Sequence, residues 1–442
     1  MLNPSYISIL KIAIPMMLGM FVQSIVMITD AAILNHFDTL SYDASGNAGL
    51  VYVTLFMGMS GLGDASQILI SNRIGDKKID AVKYIVPSSI LSNLGLGLLF
   101  FLFLQFLMPS ALLSYSNSQA LAYEQIDFLS IRSFGFFFGA LMLALNAYFL
   151  SLGKTWIIML GSIILAISNI GLDLLLVFGA GSIPAMGIKG AALASVIGEV
   201  LASLFLLTVL FKSKENKTYK VFSELKVKWS NIKELWKIGT PLVLQGFLAL
   251  ATWTAFFTWI EQRGLYDLTV SQNIRNIYML AFVPIFGFAA TTKTYVSNYM
   301  GSRNFEGIKL VQKRIILLVI AFTLLIFHGA LLYPEKLISI VNSKEEYLEE
   351  SARILRMVFG SMLIFGCFTP FFQTINGSGN TRVTLIIEIT SIIIYLVCAY
   401  FFVKVWQFDI FNVWFVEYIY FGSLSILSIG YLKFFNWQQK VI

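Results

Sequence analysis

The sequence predicts an all-α integral membrane protein of about 12 transmembrane helices, arranged as two parallel, pseudo-symmetric lobes of six. Three observations carry that prediction. The 442 residues are 57% hydrophobic and only 12% charged, with a mean hydropathy of +0.78. Apolar runs of about 20 residues, the length that crosses a membrane, recur along the whole chain. A single offset of 226 residues aligns the two halves.

Composition excludes several classes of protein at once. A soluble globular chain is about 25% charged, and half that fraction cannot cover a chain of this size with a solvated surface. Its exterior therefore meets lipid. The 39 phenylalanines suit lipid-facing and helix-facing surfaces alike. A net charge of +7 raises nucleic acid as a partner, but the basic residues form no single stripe. They sort by loop, which is the signature of membrane orientation, and no nucleic-acid partner is expected. Cys367 and Cys398 lie within apolar runs, where cysteine packs as a small buried side chain. His36 and His328 are too few and too scattered for a metal site, so neither a bound metal nor an organic cofactor is expected.

The first apolar run extends from Ile7 to Leu34. That is longer than a signal-peptide core, and no small-x-small cleavage pattern follows it, so it reads as the first span. The remaining spans fall roughly at 48–71, 84–108, 128–150, 156–179 and 189–211, then 238–260, 275–299, 314–333, 354–376, 384–405 and 410–432. The second and eighth carry the most polar residues. With the N-terminus placed inside, 22 of the 31 Lys and Arg residues fall on the inner side and 9 on the outer. The positive-inside rule then puts both termini in the cytoplasm and requires an even number of spans. Localisation in the inner (plasma) membrane follows.

The repeat is carried by clusters at equivalent points of several hairpins. Lys11-Ile12-x-x-Pro15 falls on Lys237-Ile238-x-x-Pro241, and Ser71-Asn72-x-x-Gly75 on Ser297-Asn298-x-x-Gly301. Gly153-x-Thr155 falls on Gly379-x-Thr381, with Gly61 on Gly287 and Lys83 on Lys309. The predicted domains are an N-terminal lobe 1–211, a basic cytoplasmic linker 212–236 and a C-terminal lobe 237–442. Parallel repeats of this kind hold substrate between the lobes, and rocking of one lobe on the other gives alternating access.

Ionisable residues inside a span cost roughly 2.5–3.5 kcal/mol on insertion scales and mark functional candidates. Asp30 in the first span and Asn169 with Asp173 in the fifth stand out. Asn169 and Asp173 are four residues apart and share a helix face. Asp30 lies 19 residues beyond Lys11, and Asp173 lies 18 beyond Thr155. At about 1.5 Å per residue both carboxylates sit roughly 27–29 Å from the inner surface. Ser195, six residues in from Lys189 on the outer side, reaches a similar level. Four oxygen-bearing side chains at one depth in one lobe make a candidate cation or proton site. In the other repeat these positions are Phe256, Tyr395, Ala399 and Phe421, so the second lobe lacks these acids and the constellation reads as functional rather than as a requirement of the fold.

Other polar residues rank lower. Asp64 and Lys293 sit at nearly equivalent inner-half positions of the second and eighth spans and are candidates for the cytoplasmic mouth of a cleft. Gln23, Gln245, Gln272 and Asn273 are further cleft-lining candidates, each weighed against simple interhelical hydrogen bonding. Arg132, Glu388 and Glu417 fall close to expected span ends and read as interfacial. Glu199 lies a few residues deeper, on an undetermined face. Pro15 and Pro241 are candidate kinks in the first and seventh spans.

The stretch Ile12-Ala-Ile-Pro15 running on to Ile28-Thr-Asp30 resembles the opening of the multidrug and toxic compound extrusion (MATE) transporters. So do Ser168-Asn-Ile-Gly-Leu-Asp-Leu-Leu-Leu-Val-Phe-Gly179, Met186-Gly-Ile-x-Gly-Ala-Ala-Leu-Ala-Ser195 and Asn376-Gly-Ser-Gly-Asn-Thr-Arg382. The order and spacing of these segments cover essentially the whole chain. The resemblance implies a cation-coupled antiporter, driven by H⁺ or Na⁺, that exports cationic or amphipathic compounds. It also implies that Asp30, Asn169, Asp173 and Ser195 form the coupling site of the prokaryotic branch with that site in its N-lobe. Ser195 stands where the family usually has Thr and keeps the oxygen. A seventh-span acid that marks another branch is missing here. The expected partners are small-molecule substrates and membrane lipid, with the chain acting as a monomer. A flippase for lipid-linked saccharides is the alternative; its anionic substrate would call for several inward Arg or Lys residues, and the N-lobe interior is acidic instead. A membrane enzyme finds no nucleophile–base pair to support it.

Overall fold

The computed structural model describes residues 2–116, 118–222 and 226–439; residues 223–225 of the expected linker and Lys440 of the inner-side basic set lie outside the described residues. Among the described residues, 11 helices are long and apolar enough to cross a membrane: Tyr6–Phe37, Thr39–Gly75, Ile79–Ser114, Thr155–Phe178, Ile188–Lys212, Trp229–Glu261, Leu265–Gly301, Phe305–Phe327, Glu345–Gly377, Thr381–Val405 and Ile410–Phe434. Gln119–Arg132 and Gly135–Ser151, bent by 45° at the break between them, are together long and apolar enough to make a twelfth. The chain is thus the all-α membrane protein of about 12 spans that its apolar runs predict. We number the spans in chain order, with the bent pair as the fourth.

The helices overrun the apolar runs that announce them. The second and eighth are 37 residues each, about 55 Å at 1.5 Å per residue, against a hydrocarbon core of about 30 Å. Their weak apolar signal comes from polar residues held inside the protein, such as Ser66 and Gln67 in one and Thr291 and Thr292 in the other, all buried.

The duplication is present in the backbone itself. Spans two and eight, Thr39–Gly75 and Leu265–Gly301, begin and end at equivalent residues. Each is closed by the same left-handed turn, with φ of 57° at Lys77 and 56° at Arg303. The amide of Lys78 reaches back to the carbonyl of Arg73 at 3.0 Å, as Asn304 does to Tyr299 at 2.9 Å. The turns before the fifth and eleventh spans repeat the motif with glycine at the left-handed position, Gly153 (φ 71°) and Gly379 (φ 80°). There Lys154 bonds back to Phe149 at 2.8 Å and Asn380 to Ile375 at 3.2 Å. This is the Schellman closure, which satisfies orphan carbonyls at a helix end.

Packing divides the chain into two compact units. One is Ile14–Phe247; the other joins the residues up to Ala13 with those from Leu248 onward. Both divisions fall inside helices, one just ahead of Pro15 in the first span and one beyond Pro241 in the seventh. In the first unit, Tyr52 stacks on Phe136 with ring centroids 4.5 Å apart, and Phe100 tilts against Phe136 at 5.7 Å. The second and seventh spans approach so closely that a Cβ on Gly61 would lie 2.4 Å from the backbone nitrogen of Val243. The other unit centres on aromatic side chains, with Phe256 against Trp414 and Tyr395, both at 5.7 Å. It also holds the N-terminal segment. Tyr295 donates to the carbonyl of Asn3, Tyr299 to that of Leu2 and Arg314 to that of Pro4, each at 2.7 Å.

Candidate functional site

The fifth and sixth spans pack side by side, because Gly190 and Gly198 let the helices close. A Cβ on Gly190 would lie 2.7 Å from the backbone of Leu176, and one on Gly198 would lie 3.2 Å from the carbonyl of Leu165. This approach brings Asn169 to Ser195, whose hydroxyl accepts from the Asn169 amide at 3.2 Å. Asn169 and Asp173 are fully buried at 0% exposure. The carboxyls of Asp30 and Asp173 come together from the first and fifth spans, close enough to share a hydrogen bond when one is protonated. With both ionised there is no donor between them. Asp30 Oδ1, both Asp173 oxygens and Asn169 Oδ1 are then buried with no hydrogen-bond donor. The structure therefore brings together the four residues selected by depth and helix face.

The cleft-lining candidates separate. Gln23 and Gln272 are exposed, and Asp64 and Gln245 are half-buried. Lys293 is buried. Asn273 is buried as well, and its amide is spent inside the bundle on Ser351 at 3.3 Å, tying the eighth span to the tenth.

Three acidic or basic residues read as interfacial are in fact interior. Arg132 closes the first limb of the bent fourth span, so the break places it inside the bundle rather than at a membrane surface. Its guanidinium meets Glu199 of the sixth span at 2.6 Å, with side-chain exposures of 14% and 8%, and lies 3.9 Å over the ring of Tyr52. Gly135 makes room for this cluster: a Cβ there would lie 2.1 Å from Arg132 Nη1 and 2.4 Å from Glu199 Oε2. Arg132 also acts electrostatically on Asp30. In the other unit, Glu417 is 1% exposed and accepts from Tyr278 at 2.7 Å and Tyr395 at 3.3 Å. Glu388 is buried and accepts from Tyr420 at 2.5 Å. The second repeat lacks acids at the positions equivalent to Asp30 and Asp173, yet it buries acids of its own elsewhere.

A duplicated bundle of membrane-crossing helices with carboxyls buried in its interior is built as a transporter is built, not as an enzyme. The chain belongs to the MatE family, whose profile matches residues 15–175 and again 241–401. The two matches are displaced by the same 226 residues at both ends. A probable multidrug resistance protein, NorM, of Thermotoga maritima is 24% identical over 98% of this chain and 93% of its own length. YoeA of Bacillus subtilis, also a probable multidrug resistance protein, is 22% identical over 97% of this chain and 93% of its own. A MOP superfamily transporter from Pyrococcus furiosus superimposes with a TM-score of 0.90 at 20% identity, over 99% of this chain and 97% of that one. An outward-facing MATE family transporter gives the same score and coverage. At these identities the superpositions establish the shared fold.

Proposed function

We propose that this protein is a cation-coupled antiporter that exports cationic or amphipathic compounds from the cell across the plasma membrane. Asp30, Asn169, Asp173 and Ser195 form its coupling site. One observation carries the reading: four acceptor oxygens of Asp30, Asp173 and Asn169 are buried together without a donor. In a lipid-embedded interior such a set is costly unless a cation or proton joins it. A proton entering from outside would sit between the two carboxyls, and Na⁺ would take the same oxygens. Neutralising the pair weakens its hold on a positively charged substrate and favours a rearrangement of the first span near Pro15. The coupling ion shifts that equilibrium only by its differential affinity for the two states. The multidrug names of the relatives, which match over nearly the full chain, support export of this substrate class. The same names do not favour a flippase for anionic lipid-linked saccharides. Arg132, whose charge acts on Asp30, is committed to Glu199.

The test is ethidium movement in inverted vesicles, driven in turn by a pH gradient and by a Na⁺ gradient. One gradient should drive transport in the wild type, and Asp30→Asn should abolish the driven component while the protein still inserts. Undiminished gradient-driven transport by Asp30→Asn overturns the assignment.

A further inference from the structure

We propose that Glu417, held by Tyr278 and Tyr395, is a second proton-binding site, built into the unit that lacks the Asp30–Asp173 pair. Its part in transport rests on the coupled-antiport reading above; its binding of a proton does not.

The geometry is that of a carboxyl with donors but no counter-charge. Glu417 sits in the first turn of the last long helix, Val416–Phe434, and is 1% exposed. One carboxyl oxygen accepts from Tyr278 of the eighth span at 2.7 Å, the other from Tyr395 of the eleventh at 3.3 Å. The tenth span contributes Ser361, whose side chain reaches Tyr278. Arg275 is turned to the ring of Phe257 at 4.9 Å, and Arg353 to that of Phe411 at 4.0 Å. Among the described residues, neither Glu417 nor Glu388 pairs with a Lys, Arg or His. The ionisable groups facing Glu417 are therefore two phenols, with Tyr420 and Glu388 beyond them.

A second carboxyl stands a few side chains away. The ring of Tyr395 meets that of Tyr420 at 5.5 Å, and Tyr420 donates to Glu388. Between Glu388 and Tyr395, on the same face of the eleventh span, Ser391 is fully buried and its hydroxyl has no partner. An unused hydroxyl at 0% exposure in a lipid-embedded bundle is itself costly. Here it stands one helical turn from each group and offers both a donor and an acceptor.

Both charge states of such a site are attainable. Two phenol donors and a position at a helix start favour the anion. The missing counter-ion and deep burial favour the acid. A proton fits better than a metal cation, because the phenols already spend their hydrogens on the carboxyl oxygens that a cation would need. On protonation the new O–H of Glu417 donates to the Tyr395 oxygen, which gives up its own donation to Glu417, while the bond from Tyr278 to the other carboxyl oxygen is kept. The repeat equivalent of Glu417 is Ala191, and that of Tyr395 is Asn169. Each unit thus carries its own acids, at different places on one scaffold.

Infrared difference spectroscopy of the purified full-length protein, reading the protonated-carboxyl C=O band against pH, tests this. The background is Asp30→Asn/Asp173→Asn, which removes the paired carboxyls of the other unit. A titrating band should persist in that background, be lost on adding Glu417→Gln, and have its midpoint displaced by Tyr278→Phe or Tyr395→Phe. No titrating band in the background overturns the proposal, and so does a band untouched by Glu417→Gln. A band abolished by replacing K⁺ with Na⁺ overturns proton specificity. If Glu417→Gln fails to elute as a folded protein, the two Tyr→Phe variants decide, an unmoved midpoint counting against the site. Undiminished gradient-driven transport in Asp30→Asn would sink the coupling assignment while leaving this band in place, so the two failures are distinguishable.

Discussion

Glu199 of the sixth span closes on Arg132 at the break of the fourth, carboxylate to guanidinium at 2.6 Å. The pair ties the end of the first limb of the bent span to the neighbouring sixth helix, while backbone bonds such as Phe136 to the carbonyl of Ser133 at 3.1 Å run across the break itself. Tyr52 covers the guanidinium from the second span, so three helices meet at one charge pair.

Removing one partner strands the other. Arg132→Met leaves a buried carboxylate unpaired, a loss of about 3–5 kcal/mol, and Glu199→Gln strands the guanidinium. The double variant Arg132→Met/Glu199→Gln should be less destabilised than Arg132→Met alone. Thermal unfolding of the three variants in detergent, followed by intrinsic fluorescence, checks the order; a double variant worse than both singles would refute a simple pair.

Close helix approach predicts a second effect. Gly61→Ala places a Cβ 2.4 Å from the backbone of Val243, where no side chain is available to move aside. The second and seventh spans must then part. Gly95→Ala, whose Cβ meets nothing within 4 Å, is the control. The expected outcome is a clear drop in melting temperature for Gly61→Ala and none for Gly95→Ala.

The left-handed turns allow a test with both signs. Gly153→Ala and Gly379→Ala impose positive φ on a side chain and should destabilise by about 1–2 kcal/mol. Lys77→Gly and Arg303→Gly relieve the same strain at the equivalent turns and should stabilise by roughly 1 kcal/mol. Melting curves of the four variants report directly on whether the repeats share this strain.

Ser195 supplies the oxygen that accepts from Asn169. Ser195→Thr keeps it and should leave gradient-driven ethidium transport within a few-fold of wild type. Ser195→Ala frees the Asn169 amide, at about 1–3 kcal/mol for a buried donor left unsatisfied, and should slow transport tenfold or more. Equal rates for the two variants would remove Ser195 from the site.

Much of this was legible in the chain. Asp30, Asn169 and Asp173 stand out because a polar group in an apolar run advertises its own cost, and helix rise converts their positions into a common depth. The repeat was legible because Gly153, Gly379 and the residues around Lys77 and Arg303 keep the turns that close each hairpin. Arg132 and Glu417 were not, for a shared reason. Each sits where a helix is interrupted or begins, so position along the chain suggests a membrane surface. Only the partner brought in from another span, Glu199 for one and Tyr278 with Tyr395 for the other, places them inside. Pairing across a bundle has no fixed spacing in sequence and leaves no periodic trace.

The two breaks in packing, after Ala13 and after Phe247, do not fall at the seam of the duplication. Each copy surrenders the opening turns of its first helix to the compact body formed mainly by its sibling. Cutting the gene between the copies would therefore yield two polypeptides each missing a piece of its own interior and carrying a stray piece of the other's. Co-expressed, they would have to find each other to be whole.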